Sequence, residues 1–202
     1  MLGVNLRAEM HDIEPFYGWR DHYVASEDVR SPFFERKYSE THFTDQIYDH
    51  FIHPQWDNLG STTLFAKVLY ADYEESYAIL ELMGEWNDTL FNDIMTLKRQ
   101  LIEPLMSEGV SRFILLGENV LNFHNSDDCY YEEWFDEVTD ENGWIAMVNF
   151  RTHVIEEFAD IDLDSYFVLG GGLQELAWRT FSPEQLYSRI DENVARRLIS
   201  QT

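Results

Sequence analysis

His50 and His53 stand three residues apart in Asp49-His50-Phe51-Ile52-His53-Pro54, with His42 and Asp57 close by in sequence. Two imidazoles and a carboxylate form a donor set suited to zinc or iron(II), with which a small metal-assisted hydrolase could activate water. The spacing is loose and the glutamate of a zinc-protease helix is missing, so ordinary surface or capping histidines account for the same residues. A second constellation, His124 followed by Asp127 and Asp128, offers an acid–base pair and a further candidate metal ligand. Gly170-Gly171-Gly172 follows an extended run, but no phosphate-loop lysine or dinucleotide fingerprint comes with it. No serine lies in a Gly-x-Ser-x-Gly elbow, and Cys129, the single cysteine, has no histidine at an informative spacing. Cys129 is expected to pack against a core as a small hydrophobe. No catalytic residue and no cofactor is assigned on these patterns.

Charge is more informative. Thirty-eight acids against fourteen bases leave a net charge of −24, and no lysine or arginine occurs between Arg112 and Arg151. That interval holds Asp127, Asp128, Glu132, Glu133 and Asp136 among its acids. Phosphate backbones and anionic lipid are bound by basic groups that displace counterions, so nucleic acid and membrane are not expected partners. A solvated helix face accounts for the acids; as a docking surface they would suit a basic protein partner. One cysteine permits no internal disulfide, the amino-terminal Met1–Arg7 has no secretory apolar stretch, and no apolar run approaches the roughly 20 residues of a bilayer span. A reducing cytoplasm is the expected compartment.

The elements that would position these residues follow from hydrophobic spacing. Residues 1–61 are aromatic-rich and weakly periodic, which predicts an irregular arm laid over the main domain or lining a partner interface, a homodimer included. Within it Thr44 would cap a short helix with Ile47, Tyr48, Phe51 and Ile52 on one face, stopped by Pro54. From Thr62 onward, the apolar runs Leu64–Tyr70 and Tyr77–Met83 flank an acidic turn, Ala71–Ser76. A long helix follows from Asn87 or Asp88, with Leu90, Ile94, Leu97, Leu101 and Leu105 as its buried stripe, kinked or ended by Pro104 and exited at Gly109. Arg112–Gly117 and Trp144–Phe150 read as central parallel strands. Between them Ser126 starts a helix with Tyr130, Tyr131, Trp134 and Val138 inward, closed by Asn142-Gly143. A short helix from Thr152 to Phe158, a last strand over Ser165–Leu169, and a terminal helix complete the order. The terminal helix opens on the capping box Ser182-Pro183-Glu184-Gln185, carries Leu186, Ile190, Val194 and Leu198 on one face, and ends on Arg196-Arg197 as dipole compensation.

This ββαβαβαβα order over residues 62–200 resembles the STAS domain and its SpoIIAA-like relatives. The likeness rests on Ala78-Ile79-Leu80-Glu81-Leu82-Met83-Gly84-Glu85-Trp86, Phe113-Ile114-Leu115-Leu116-Gly117 and Trp144-Ile145-Ala146-Met147-Val148. The resemblance implies a small mixed sheet flanked by helices and a bacterial regulatory role. STAS regulators carry a phosphorylatable serine at a helix start, and Ser126 occupies that place here. The motif's glycine is absent and two aspartates follow, which oppose a phosphate, so Ser126 reads as a structural cap.

The expectation is an α/β fold with an N-terminal extension, 1–61, and a STAS-like domain, 62–202. The expected function is non-catalytic regulation or protein interaction through Asp127, Asp128, Glu132, Glu133 and Asp136. A metal-assisted hydrolase using His50, His53 or the His124–Asp128 corner is the enzymatic alternative. A small apolar ligand held between arm and sheet is the third.

Overall fold

The computed structural model describes residues 13–39, 41–48 and 50–200, with the side chains of His50 and 197–200 outside the description. The expected positions of the His50 imidazole, Arg197 and Leu198 therefore lie outside the described residues.

The apolar runs after Thr62 form the centre of a five-stranded mixed sheet. β4 (Leu64–Asp72) and β5 (Tyr77–Asn87) pair antiparallel, β6 (Arg112–His124) runs parallel to β5, and β7 (Trp144–Val148) runs parallel to β6. The acidic turn closes because Asp72 Oδ1 accepts the amide protons of Glu74 and Glu75, both at 3.0 Å. The arm itself supplies the outer strand: β3 (Asp57–Asn58) pairs with β4, giving the order β3-β4-β5-β6-β7.

Strand alternation sorts the core into two faces. Ala78, Leu80, Leu82, Phe113, Leu115, Ile145 and Met147 point to one side, where the helices between the parallel strands cover them. Tyr77, Ile79, Ile114, Leu116, Ala146 and Val148 point to the other, beneath Trp19 of the arm and the terminal helix α6 (Pro183–Ser200). The capping box of α6 forms reciprocally: Gln185 N–H donates to Ser182 Oγ at 3.3 Å, and Ser182 N–H donates to Gln185 Oε1 at 3.0 Å. Leu186, Ile190 and Val194 are buried as their spacing predicts.

Four expectations need correction. The long helix is interrupted: α1 (Asp88–Phe91) ends at Asn92, whose φ of 51° is left-handed, and α2 (Asp93–Leu97) restarts behind it. Leu90 falls on the outer turn and is 73% exposed, whereas Ile94, Leu97, Leu101 and Leu105 are buried. The helix then widens into a π segment, Lys98–Ile102, before α3 (Glu103–Ser107). The wide turn tolerates Pro104, which has no N–H to donate, so the proline distorts the helix and does not stop it.

The expected helix after Thr44 is a hairpin, β1 (Gln46–Ile47) with β2 (His50–Phe51). Ile47 and Ile52 satisfy both periodicities, and the sheet face decides between them: they pack with Trp56, Phe65 and Met83 while Gln46 and Tyr48 face solvent. The helix assigned to Ser126 begins later, as α4 (Cys129–Asp140), with exposed Ser126 three residues ahead of it and Asp128 at its N-cap position. The last strand contracts to one bridge, Ala146 to Val168, between the 3-10 turn Leu163–Tyr166 and Gly170, whose φ of 77° ends the extended backbone. α5 (Thr152–Ala159) lies where expected.

Candidate functional site

α4 builds its acidic surface by subtraction. Tyr131, Trp134 and Val138 recur at helical spacing and are buried, so Glu132 and Asp136 are carried outward. Glu133 and Glu137 sit at the boundary and turn to Lys98 of the π segment, whose fully buried Nζ lies 3.3 Å and 2.8 Å from them and 3.0 Å from Glu103. Burial works against the Lys98 charge, but Glu137 and Glu103 outweigh it and hold the ammonium above its ordinary range. Asp127 accepts the Cys129 amide proton at 3.3 Å, and Asp128 accepts the Tyr166 hydroxyl at 3.2 Å. Among the described residues no lysine or arginine pairs with Asp127, Asp128, Glu132 or Asp136, and Asp160, Asp162 and Asp164 are exposed as well. Glu133, by contrast, is committed to Lys98 and Arg99. Cys129 is exposed, not packed in a core, because the first turn of α4 faces solvent; its hydrogen bond to Asp127 pushes the thiol up.

The histidines do not converge. His124 closes β6, and its Nε2 lies 3.1 Å from Glu85 Oε1; its partner is this neighbouring-strand carboxylate, not Asp127 or Asp128. The Tyr48 hydroxyl donates to the same Glu85 oxygen, and Asn122 donates to the Tyr48 oxygen at 3.1 Å. Burial opposes the Glu85 charge, yet Tyr48, His124 and Asn122 hold its carboxyl below the ordinary range. His53 is buried, takes the Gln55 amide proton on Nδ1 at 3.2 Å, and points Nε2 at Glu14, 3.5 Å away. Asp57 belongs to a different cluster, with Arg36 at 3.0 Å and Lys67 at 3.2 Å. Among the described residues no group of three or more histidines, cysteines and acids is placed to hold a metal ion.

Two carboxylates on the central strands, Glu81 and Glu118, are ones that motif spacing does not pick out. Glu81 is 2% exposed in the middle of β5, on the face of Tyr77 and Ile79. Its Oε2 accepts the Phe16 amide proton at 2.7 Å, while Asn119 and Arg179 approach Oε1 at 3.4 Å and 3.8 Å. Burial pushes its carboxyl up to about 7, against the pull of the Phe16 amide and Arg179. Glu118, on β6, accepts from Asn149 at 2.7 Å, Trp178 Nε1 at 2.8 Å and Arg179 at 2.5 Å. Those three partners outweigh its burial and hold it low. Asn149, just beyond β7, clamps Leu176 through both its backbone groups at 2.8 Å. Ligands of open α/β sheets usually sit at the carboxyl ends of the parallel strands. Glu81 and Glu118 instead lie midway along β5 and β6, where the chain's own Phe16, Trp178 and Arg179 contact them. The legible signal was a lone charge in an apolar run: Glu81 within Ala78–Met83, and Glu118 just after Phe113–Gly117.

A buried pair of aspartates organises the helix restart. Asp88 Oδ1 caps Ile94 N–H at 2.7 Å, and Asp93 Oδ2 takes the Asn87 amide and the Thr63 hydroxyl, both at 2.8 Å. Burial raises both carboxyls, Asp88 to about 6.

The fold is a mixed α/β sheet protein whose internal acids are bonded within the chain, and a run of acids without a cationic partner among the described residues lies along α4. No protein-family model matches the chain, and no curated protein matches it.

Proposed function

We propose that the chain is a non-catalytic, STAS-like interaction domain that receives a basic protein segment along the outer edge of α4. One observation carries this reading: among the described residues Asp127, Asp128, Glu132 and Asp136 are exposed without a cationic partner, although Glu133 and Glu137 on the same helix are ion-paired with Lys98. Exposed like charges one helical turn apart destabilise an isolated helix by a few tenths of a kcal/mol, and a basic partner relieves that repulsion while being steered by it. The locked state of Glu81, Glu118 and Glu85 supports a binding role over chemistry, since each is held by neighbouring protein groups.

A fluorescent lysine-rich peptide tests the reading by anisotropy. Affinity should fall about tenfold or more between about 50 and 200 mM salt. The variant Asp127→Lys, Asp128→Lys, Glu132→Lys, Asp136→Lys should abolish binding. Reversing four exposed acids elsewhere, Asp21, Glu35, Glu108 and Glu192, should leave most of it. Equal loss in both variants would reduce the effect to net charge and remove α4 as the docking edge.

A further inference from the structure

At the opposite edge of the sheet the arm does not close fully on β4. A cavity of about 260 Å³ remains there, walled by Phe16, Trp19, Tyr23 and Tyr38 and carrying two cations, Arg20 and Lys67. Its polarity runs against the rest of the chain. Two of only fourteen bases, Arg36 and Lys67, pair with one fully buried carboxylate, Asp57, and a third, Arg20, stands close enough to Lys67 to depress its pKa.

One carboxylate cannot balance these three cations. Its Oδ1 is taken by Arg36 at 3.0 Å and the Tyr38 hydroxyl at 2.6 Å. Its Oδ2 makes no hydrogen bond and meets Lys67 Nζ only as an ion pair at 3.2 Å. The Lys67 ammonium also rests 3.7 Å above the Tyr38 ring. Burial lowers the Lys67 pKa, Asp57 works to restore it, and Arg20 and Arg36 depress it further. Arg20 donates to Gln55 at 3.1 Å and pairs with no carboxylate among the described residues. Glu27 also lines the cavity, but it is exposed at the rim.

From this geometry we infer that the cavity between the arm and β4 is a binding site for a small aromatic monocarboxylate, its ring among Phe16, Trp19 and Tyr23 and its carboxylate between Arg20 and Lys67. Ring-walled sites also attract cations, but here Lys67 already occupies the Tyr38 face and Arg20 lies within 5.9 Å of the Tyr17 ring. The hydroxyls of Tyr23 and Tyr38 are committed to Asp28 and Asp57, so the charged ends of Arg20 and Lys67 are the polar groups that fix orientation. A monoanion fits better than a dianion, because Glu27 stands at the rim and the whole chain carries −24. The volume suits one or two fused rings.

Indole-3-carboxylate, its neutral isostere indole-3-carboxamide and the cation 3-(aminomethyl)indole separate the alternatives in an NMR titration of the full chain. The carboxylate should bind with a Kd of about 1 mM or tighter, at least about tenfold ahead of both analogues, and shift Trp19 and Tyr23 resonances. Arg20→Gln, at an exposed position, should weaken it about tenfold with unchanged Tm. Lys67→Met paired with Asp57→Asn, which removes the buried pair together and leaves only partly exposed Arg36 without its carboxylate, should weaken binding by a similar factor. Equal binding of the carboxamide, tighter binding of the cation, or unaltered affinity in Arg20→Gln overturns the assignment.

Discussion

Glu81 carries a carboxyl that burial displaces well above its ordinary range, into the neutral pH region. Its carboxyl rises from 4.5 to about 7 because the sheet face removes water and supplies only the Phe16 amide, Asn119 and a distant Arg179. The folded chain therefore holds a proton that the unfolded chain has released over the interval from 4.5 to about 7. Its contribution is fully present below pH 4.5 and is lost as pH rises through about 7. Asp88, raised to about 6, acts with the same sign. Glu85, Glu118 and Asp28 are held low and act oppositely, lending stability that is lost on acidification. Glu81→Gln isolates the first effect, since its carbonyl oxygen can still accept from Phe16. It should stabilise the fold by up to about 3 kcal/mol near pH 8 and by about zero near pH 4, read from urea midpoints. An equal change at both pH values would mean that packing, not ionisation, separates the two side chains.

Among the elements, the helix between β5 and β6 shows how partial legibility arises. Ile94, Leu97, Leu101 and Leu105 were readable because a 3.6-residue period buries one stripe whatever the details. Leu90 was not, because Asn92 breaks the helix in the left-handed region and Asp88 recaps it from across the break. That cap is a tertiary contact with no local signature. Similarly, strands β4 to β7 were legible from continuous apolar runs, but the Ile47–Ile52 hairpin was not, its spacing fitting both periods. The acids of α4 were legible as a group. Their division into neutralised and free members depends on Lys98, which the spacing alone would place near the helix surface, whereas the π segment holds it at 0% exposure. Lys98→Met should destabilise the domain by about 2–3 kcal/mol near neutral pH, the low end for a broken buried pair because its glutamates keep 30–40% exposure. The loss should shrink toward about pH 3.5, where glutamates protonate. A pH-independent loss in chemical denaturation would assign Lys98 to packing alone.

At the scale of the molecule, charge is polarised along the sheet. Arg20, Arg36 and Lys67 cluster at the β4 edge, while α4 and the Asp160–Asp164 turn carry acids beside β6 and β7. Between Arg112 and Arg179, Arg151 is the single base. Such a field orients a basic partner toward one end and a small anion toward the other, and it also strains the fold by self-repulsion. Salt weakens both that repulsion and the ion pairs. The exposed pairs contribute under about 1 kcal/mol each, so repulsion among 38 acids dominates the balance. Raising salt from about 20 to about 200 mM shortens the screening length from roughly 20 Å to under 10 Å, enough to separate neighbouring elements. The expected gain at neutral pH is about 1 kcal/mol, or a rise in Tm of about 2–4 °C for a chain of this size. The same increment near pH 4 should do much less, because many of the carboxylates are then neutral. If salt instead lowers Tm at neutral pH, the Lys98 and Asp57 ion clusters outweigh the acidic surface, and α4 would no longer hold the unrelieved repulsion that favours a basic partner.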